Sequence, residues 1–134
     1  VTPRYLLDTN MVSELIRNPG GQIARRIAEV GENKICTSII VAAELRYGAE
    51  KKGSARLTAR VEAVLDALDV MPLEAPAHRH YGVLRTQLEK AGRPSGANDL
   101  LIAAHALALG CTIVTANKTE FVHIAGLQVE NWLN

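Results

Sequence analysis

Tyr5-Leu6-Leu7-Asp8-Thr9-Asn10 sets an apolar run directly before a carboxylate and two small polar residues. Tyr5-Leu6-Leu7 reads as a short first strand. Asp is a favoured residue just before a helix, because its side chain accepts a free backbone N–H of the first turn. The pattern therefore predicts a helix from about Thr9 to Arg17, stopped by Asn18-Pro19-Gly20-Gly21. Working outward, the same alternation recurs. A helix over Gln22 to Val30 precedes a strand at Lys34-Ile35-Cys36-Thr37. Ser38 is placed to cap a helix reaching Lys51 or Lys52, ended by Gly53. Ala55 to Leu68 repeats Leu57, Val61, Val64, Leu65 and Leu68 at helical spacing. Strand three is Asp69-Val70-Met71, followed by a helix from about Pro76 to Ala91. A Gly/Pro loop at 92–96 leads into an apolar helix from Asn98 that ends at Gly110. Thr112 to Thr115 and Leu127 to Glu130 complete the strands. Short strands alternating with helices predict one α/β domain over 1–134, with a mainly parallel sheet of four to five strands covered by helices on both faces.

The bulk properties narrow the function classes. One Phe and one Trp among 134 residues leave the core to Leu, Ile, Val and Ala. A net charge of +1 gives no global basic field, so any nucleic-acid contact needs a local patch. Arg85 and Arg93 are the expected contributors, because their segment leads into the loop before Asp99. Cys36 and Cys111 lack paired metal-ligand spacing and read as small buried residues in a reducing compartment. No run is long and pure enough to cross a bilayer, and no signal peptide is evident, so a cytoplasmic protein is expected. Among the histidines, His78 and His80 are two apart and do not share a helix face, and His105 reads as a hydrogen-bonded core residue. Neither a Walker A loop nor GxGxxG occurs.

Three carboxylates sit where helix and strand physics alone would not put them. Asp8 ends an apolar strand, Glu44 lies within Ile39-Ile40-Val41-Ala42-Ala43-Glu44-Leu45, and Asp99 opens the apolar segment Leu100 to Leu109. On a helix, the residues three and four before Glu44 are Val41 and Ile40, both apolar. An unpaired carboxylate in such surroundings is costly, and a divalent cation offsets the cost. Asp8 and Asp99 also have structural explanations, as helix cap and as dipole complement, with Asn98 the better placed cap beside Asp99. Taken together, Asp8, Glu44 and Asp99 form an all-oxygen set that suits Mg²⁺ or Mn²⁺ and phosphate ester chemistry. Asn117 is a neutral fourth candidate, Glu120 adds a nearby carboxylate, and Thr9 and Thr115 supply hydroxyls to orient them.

Leu6-Leu7-Asp8-Thr9-Asn10, Ala43-Glu44-Leu45-Arg46-Tyr47-Gly48, Gly96-Ala97-Asn98-Asp99-Leu100 through Ala106, and Thr115-Ala116-Asn117-Lys118-Thr119-Glu120-Phe121, in this order, resemble the PIN-domain family and its VapC-type toxins. The resemblance spans almost the whole chain. It implies a metal-dependent ribonuclease, cutting transfer or ribosomal RNA with Mg²⁺ or Mn²⁺. It further implies a homodimer silenced by a cognate antitoxin whose tail lies in the active-site groove. Asp8, Glu44 and Asp99 match the family's first three acidic positions. The fourth, often Asp, aligns with Asn117, with Glu120 close enough to substitute.

Three other readings compete. A haloacid-dehalogenase-like phosphatase also places an Asp after strand one, but wants a second Asp two residues on, where this chain has Asn10. A response-regulator receiver expects an Asp after strand three, where Met71-Pro72 stands. A non-catalytic PIN-like module that binds RNA or protein is the third, opposed by retention of three mutually repelling carboxylates. Finally, the early helices carry Met11, Val12, Leu15, Ile16, Ile23 and Ile27, more aliphatic surface than one sheet can cover. Part of it is expected to form an apolar groove for a partner helix.

Overall fold

In a computed structural model that describes residues 3–133, five parallel strands form one sheet in the order β3-β2-β1-β4-β5. These are β1 (Tyr5–Leu7), β2 (Ile35–Ser38), β3 (Asp69–Met71), β4 (Thr112–Val114) and β5 (Val129–Glu130). β1 lies in the middle, with Leu6 opposite Cys36 on one side and Ile113 on the other. All three side chains are fully buried, as strands with helices on both faces require.

The helices are α1 (Thr9–Arg17), α2 (Gln22–Val30), α3 (Ile39–Lys52), α4 (Ala55–Ala67), α5 (Ala77–Lys90), α6 (Ala97–Leu109) and α7 (Lys118–Phe121). α1 packs against α2, α3 and α4, while α5 lies along α6. Asp8, Ser38 and Ser54 each accept an N–H of the turn they start. α3 and α6 end at Gly53 and Gly110, both in the left-handed conformation that a Cβ disfavours.

The expected elements are present, with shifted ends. Lys34 belongs to a single 3-10 turn, and Ser38 both closes β2 and caps α3. Thr115 lies just beyond β4, and only the last two residues of the expected fifth strand pair. α6 begins at Ala97 with Gly96 as its cap, so Asn98 sits inside the helix rather than capping it. Its amide is thereby free to reach Glu44. The turn α7 was not expected.

His105 is buried, and its Nδ1 lies 2.8 Å from Ser38 Oγ, tying the middle of α6 to the start of α3. Burial keeps the ring neutral by lowering its pKa, partly opposed by the Pro72 carbonyl. Cys36 and Cys111 are buried free thiols.

Candidate active site

The order β2-β1-β4 reverses the direction of winding at β1, and such a reversal opens a crevice at the carboxyl ends of the strands. A pocket of about 380 Å³ lies there, lined by Asp8, Thr9, Asn10, Ser13, Arg17, Glu44, Asp99 and Asn117. The three carboxylates, 35 or more residues apart in sequence, thus meet in one cavity. Each arrives by a different route: Asp8 follows β1, Glu44 projects from the second turn of α3, and Asp99 stands in the first turn of α6.

Asp8 is the most enclosed, only 3 % exposed. Its backbone N–H donates to the Val114 carbonyl, continuing the β1–β4 ladder, and its side chain accepts from the Asn10 N–H at 3.0 Å. Burial pushes its carboxyl up to about 6. The hydroxyl of Thr115 and the N–H of Asn10 hold it down in part, and the negative charge of Asp99 adds to the rise. Asp99 is also raised, first by burial and then by repulsion from Glu120 and Glu44. Glu44 is half-buried and accepts hydrogen bonds from the Thr9 hydroxyl and, at 3.3 Å, from the Asn98 amide.

The fourth position divides between its two candidates. Asn117 lines the pocket, and its backbone N–H donates to Thr115 Oγ1 at 3.0 Å. Glu120, on α7, does not line it but stands near enough to raise Asp99. Thr115 is fully buried and links Asp8 to Asn117, donating to the Asp8 carboxyl and accepting from the Asn117 N–H.

Two features were not read from the sequence. Asn10 Oδ1 accepts from the Ala116 N–H at 3.0 Å, fastening the 115–117 segment to the start of α1. An amide at this position has no carboxylic proton to donate, which a phosphatase of the haloacid-dehalogenase type would need there. Asn10→Ala is expected to cost about 1–2 kcal/mol of stability, since the Ala116 N–H loses its partner, and to lower activity by displacing Asn117. Thermal melts beside activity assays check this. An unchanged melting temperature would mean the tie carries no load. Ser13 and Arg17 also line the pocket, following Thr9 at intervals of four along α1. That spacing places them on one helix face, a periodicity visible in the sequence once Thr9 is assigned to the site.

The expected basic rim is not at the pocket. Arg85 is held by Glu89 Oε2 at 3.1 Å and the Tyr81 hydroxyl at 2.9 Å, and Arg93 lies 2.9 Å from His123 Nε2. Neither lines the cavity.

The donor set tests whether a cation fits. Among the described residues, no three Asp, Glu, His or Cys side chains stand close enough to grip one bare ion as they are. The electrostatics nevertheless call for a positive charge: Asp8 is pushed up by burial and by Asp99, and Asp99 by burial and by Glu120 and Glu44. Oxygen donors lining a wet pocket suit Mg²⁺, which keeps several of its waters and needs only one or two carboxylates directly.

A second, apolar groove of about 560 Å³ lies between α1, α2 and α4, lined by Leu15, Ile16, Ile27, Val64 and Leu68 among others. Met11, Val12 and Ile23 do not contribute to it. They are buried in the core. Arg17 lines both cavities, so the apolar groove runs up to the acidic pocket.

Comparison with known proteins gives a consistent picture. A family profile described as the PIN domain matches residues 5–127. A tRNA(fMet)-specific endonuclease VapC of Shigella flexneri is 37% identical over 130 residues, covering 96% of this chain and 98% of the relative. The chain in a crystal structure of DNA-bound VapBC from Salmonella typhimurium superposes with a TM-score of 0.89 at 36% identity, over 98% of this chain and 99% of that one. VapBC2 from Rickettsia felis, bound to a promoter DNA fragment, gives a TM-score of 0.90 at 37% identity, over 96% and 98%.

Proposed function

The chain belongs to the PIN-domain family, and from that membership we propose that it is a VapC-type toxin, an endoribonuclease that hydrolyses RNA phosphodiester bonds and is neutralised by a cognate antitoxin. The observation that carries the reading is the meeting of Asp8, Glu44 and Asp99 in one pocket at the carboxyl edge of the sheet.

Asp8, Asp99 and Glu44 would hold Mg²⁺ or Mn²⁺, directly or through its waters, with Asn117 as a neutral oxygen donor. Such an ion supplies charge stabilisation at the phosphoryl group and lowers the pKa of a bound water. The protein's own part is positional. Thr9 and Asn98 hold the Glu44 carboxylate through hydrogen bonds, and Thr115 fixes Asp8 against Asn117. Asp8 and Thr115 sit against the buried strands β1 and β4, which strengthens the contact between those two side chains.

The antitoxin would lay an apolar helix in the groove between α1, α2 and α4 and extend a basic tail into the acidic pocket, offsetting its charge. The groove's continuity with the pocket at Arg17 supports that arrangement. Homodimerisation belongs to the same reading, with Ile39 and Tyr47 of α3 and Val83 of α5 as exposed apolar side chains available for it. Among the described residues, no helix is long and apolar enough to cross a membrane. The RNA class is transfer or ribosomal RNA, placing the action in the cytoplasm.

Incubation of the pure protein with total RNA, in Mg²⁺ and in chelator, followed by mapping of fragment ends, tests the whole reading. Discrete ends that appear only with metal are expected. Intact RNA in both conditions would overturn it.

A further inference from the structure

The acidic pocket poses an electrostatic problem for its substrate. Three carboxylates line it, and the RNA backbone brings more negative charge. Among the described residues, Arg17 is the only cationic side chain lining the pocket. It is well placed to act: its side chain is 66 % exposed, and it pairs with Glu14 Oε1 at 3.1 Å, three residues back on the same helix. Exposed ion pairs of this kind are weak. Glu14 also accepts a hydrogen bond from the Asn18 amide, the largest cause of its lowered pKa. Glu14 therefore keeps a donor if Arg17 turns away. Thr9, Ser13 and Arg17 follow one another at intervals of four along α1, giving a polar track from the Glu44 carboxylate to the end of the helix. A hydroxyl and a guanidinium one turn apart match two oxygens of a phosphate, the guanidinium by its planar fork.

We propose that Ser13 and Arg17 bind an RNA phosphate adjacent to the scissile one, with Arg17 as the main contact and as a positioning residue for cleavage. This rests on the RNA-cleaving reading of the site. Its bland competitor is that Arg17 merely complements the carboxyl end of α1, where a cation is favoured by the helix dipole. That role would show in stability and not in RNA binding.

The test compares the parent protein with Arg17→Ala, Arg17→Lys and Ser13→Ala. Arg4→Gln serves as a charge-matched control at the amino end of β1, remote from the pocket. Steady-state cleavage of a short single-stranded RNA gives KM and kcat. Binding of the same RNA is measured across salt concentrations in an Asp99→Asn background with chelator, in which cleavage is strongly suppressed. Arg17→Ala is expected to raise KM roughly tenfold with a smaller change in kcat. It should also reduce the log–log salt slope by about 0.7. Arg17→Lys should restore the slope but only part of the affinity, and Arg4→Gln should match the parent. Ser13→Ala should weaken binding with no change of slope. If the parent cleaves RNA while Arg17→Ala keeps its KM and slope, the proposal fails and the ribonuclease reading stands. The proposal likewise fails if Arg17→Ala binds RNA normally but loses the antitoxin, which would assign the residue to the partner. A parent protein that neither binds nor cleaves RNA overturns both.

Discussion

Asp99→Asn is expected to reduce RNA cleavage by on the order of 10³-fold while leaving the metal-free protein as stable as the parent or slightly more so. The two halves of this result have different causes. Activity falls because the amide cannot supply the negative charge that holds a cation in the pocket. Stability does not fall, because in the metal-free protein the Asp99 carboxylate is unfavourable: burial and the charges of Glu120 and Glu44 all raise its pKa. Opposing this, a carboxylate in the first turn of α6 gains roughly 0.3–1 kcal/mol from the helix dipole. The two effects oppose one another, so the metal-free melting temperature should stay the same or rise slightly. Mg²⁺ should raise the melting temperature of the parent and not of the variant. Thermal melts with chelator and with Mg²⁺, beside cleavage assays, measure both halves. A marked loss of metal-free stability would give Asp99 a structural role and remove it from the metal site.

Asp8 should make the metal-free protein less stable as pH rises from about 4 to about 7. The direction follows from its folded-state pKa of about 6, above its ordinary value of 3.8. Below the ordinary value the group is protonated in both folded and unfolded chains and contributes no pH dependence. Between the two values the unfolded chain ionises freely while the folded chain holds its proton, so unfolding gains ground. Above the folded value the full penalty is present, on the order of 3 kcal/mol for a shift of this size. Asp99 acts in the same direction. Asp8→Asn keeps a side-chain oxygen for the Asn10 N–H and removes the ionisation. It should therefore flatten this part of the pH profile and be more stable than the parent at pH 7 without metal. It should also lose cleavage. Mg²⁺ should flatten the profile of the parent, because the ion favours the ionised form. Denaturant melts at a series of pH values give the profile directly. A parent profile that is flat between pH 4 and 7 without metal would mean that Asp8 ionises at its ordinary value.

The strand–helix alternation was open to reading in the sequence because it depends on neighbours. Three apolar residues before an N-capping Asp, helical spacing in α4, and glycines beyond α3 and α6 are local signals. Each acts through the few residues beside it. The carboxylates were also legible, since Glu44 and Asp99 interrupt apolar patterns that a structural role alone would not interrupt. Element ends were less legible. Asn98 reads as a cap, yet Gly96 takes that place, and Asn98 instead pairs with Glu44, a partner 54 residues away that no local pattern reveals. The same limit hid the bond from Ala116 to Asn10 and the Pro72 carbonyl facing His105.

The sequence by itself determined the parallel α/β architecture, the aliphatic core and the identity of the acidic triad, because periodicity and capping are set along the chain. Only the tertiary structure decided which side chains surround that triad. Reversal of winding at β1 brings the ends of β1 and β4 and the starts of α3 and α6 to one crevice. It also sets Ser13 and Arg17 along that crevice, leaves Arg85 and Arg93 outside its lining, and sends Met11 and Val12 to the core while Leu15 and Ile27 line the neighbouring groove. A helix pattern fixes which residues share a face. The neighbour that each face meets is chosen by the order of the strands in the sheet, and that order depends on contacts between residues distant in sequence.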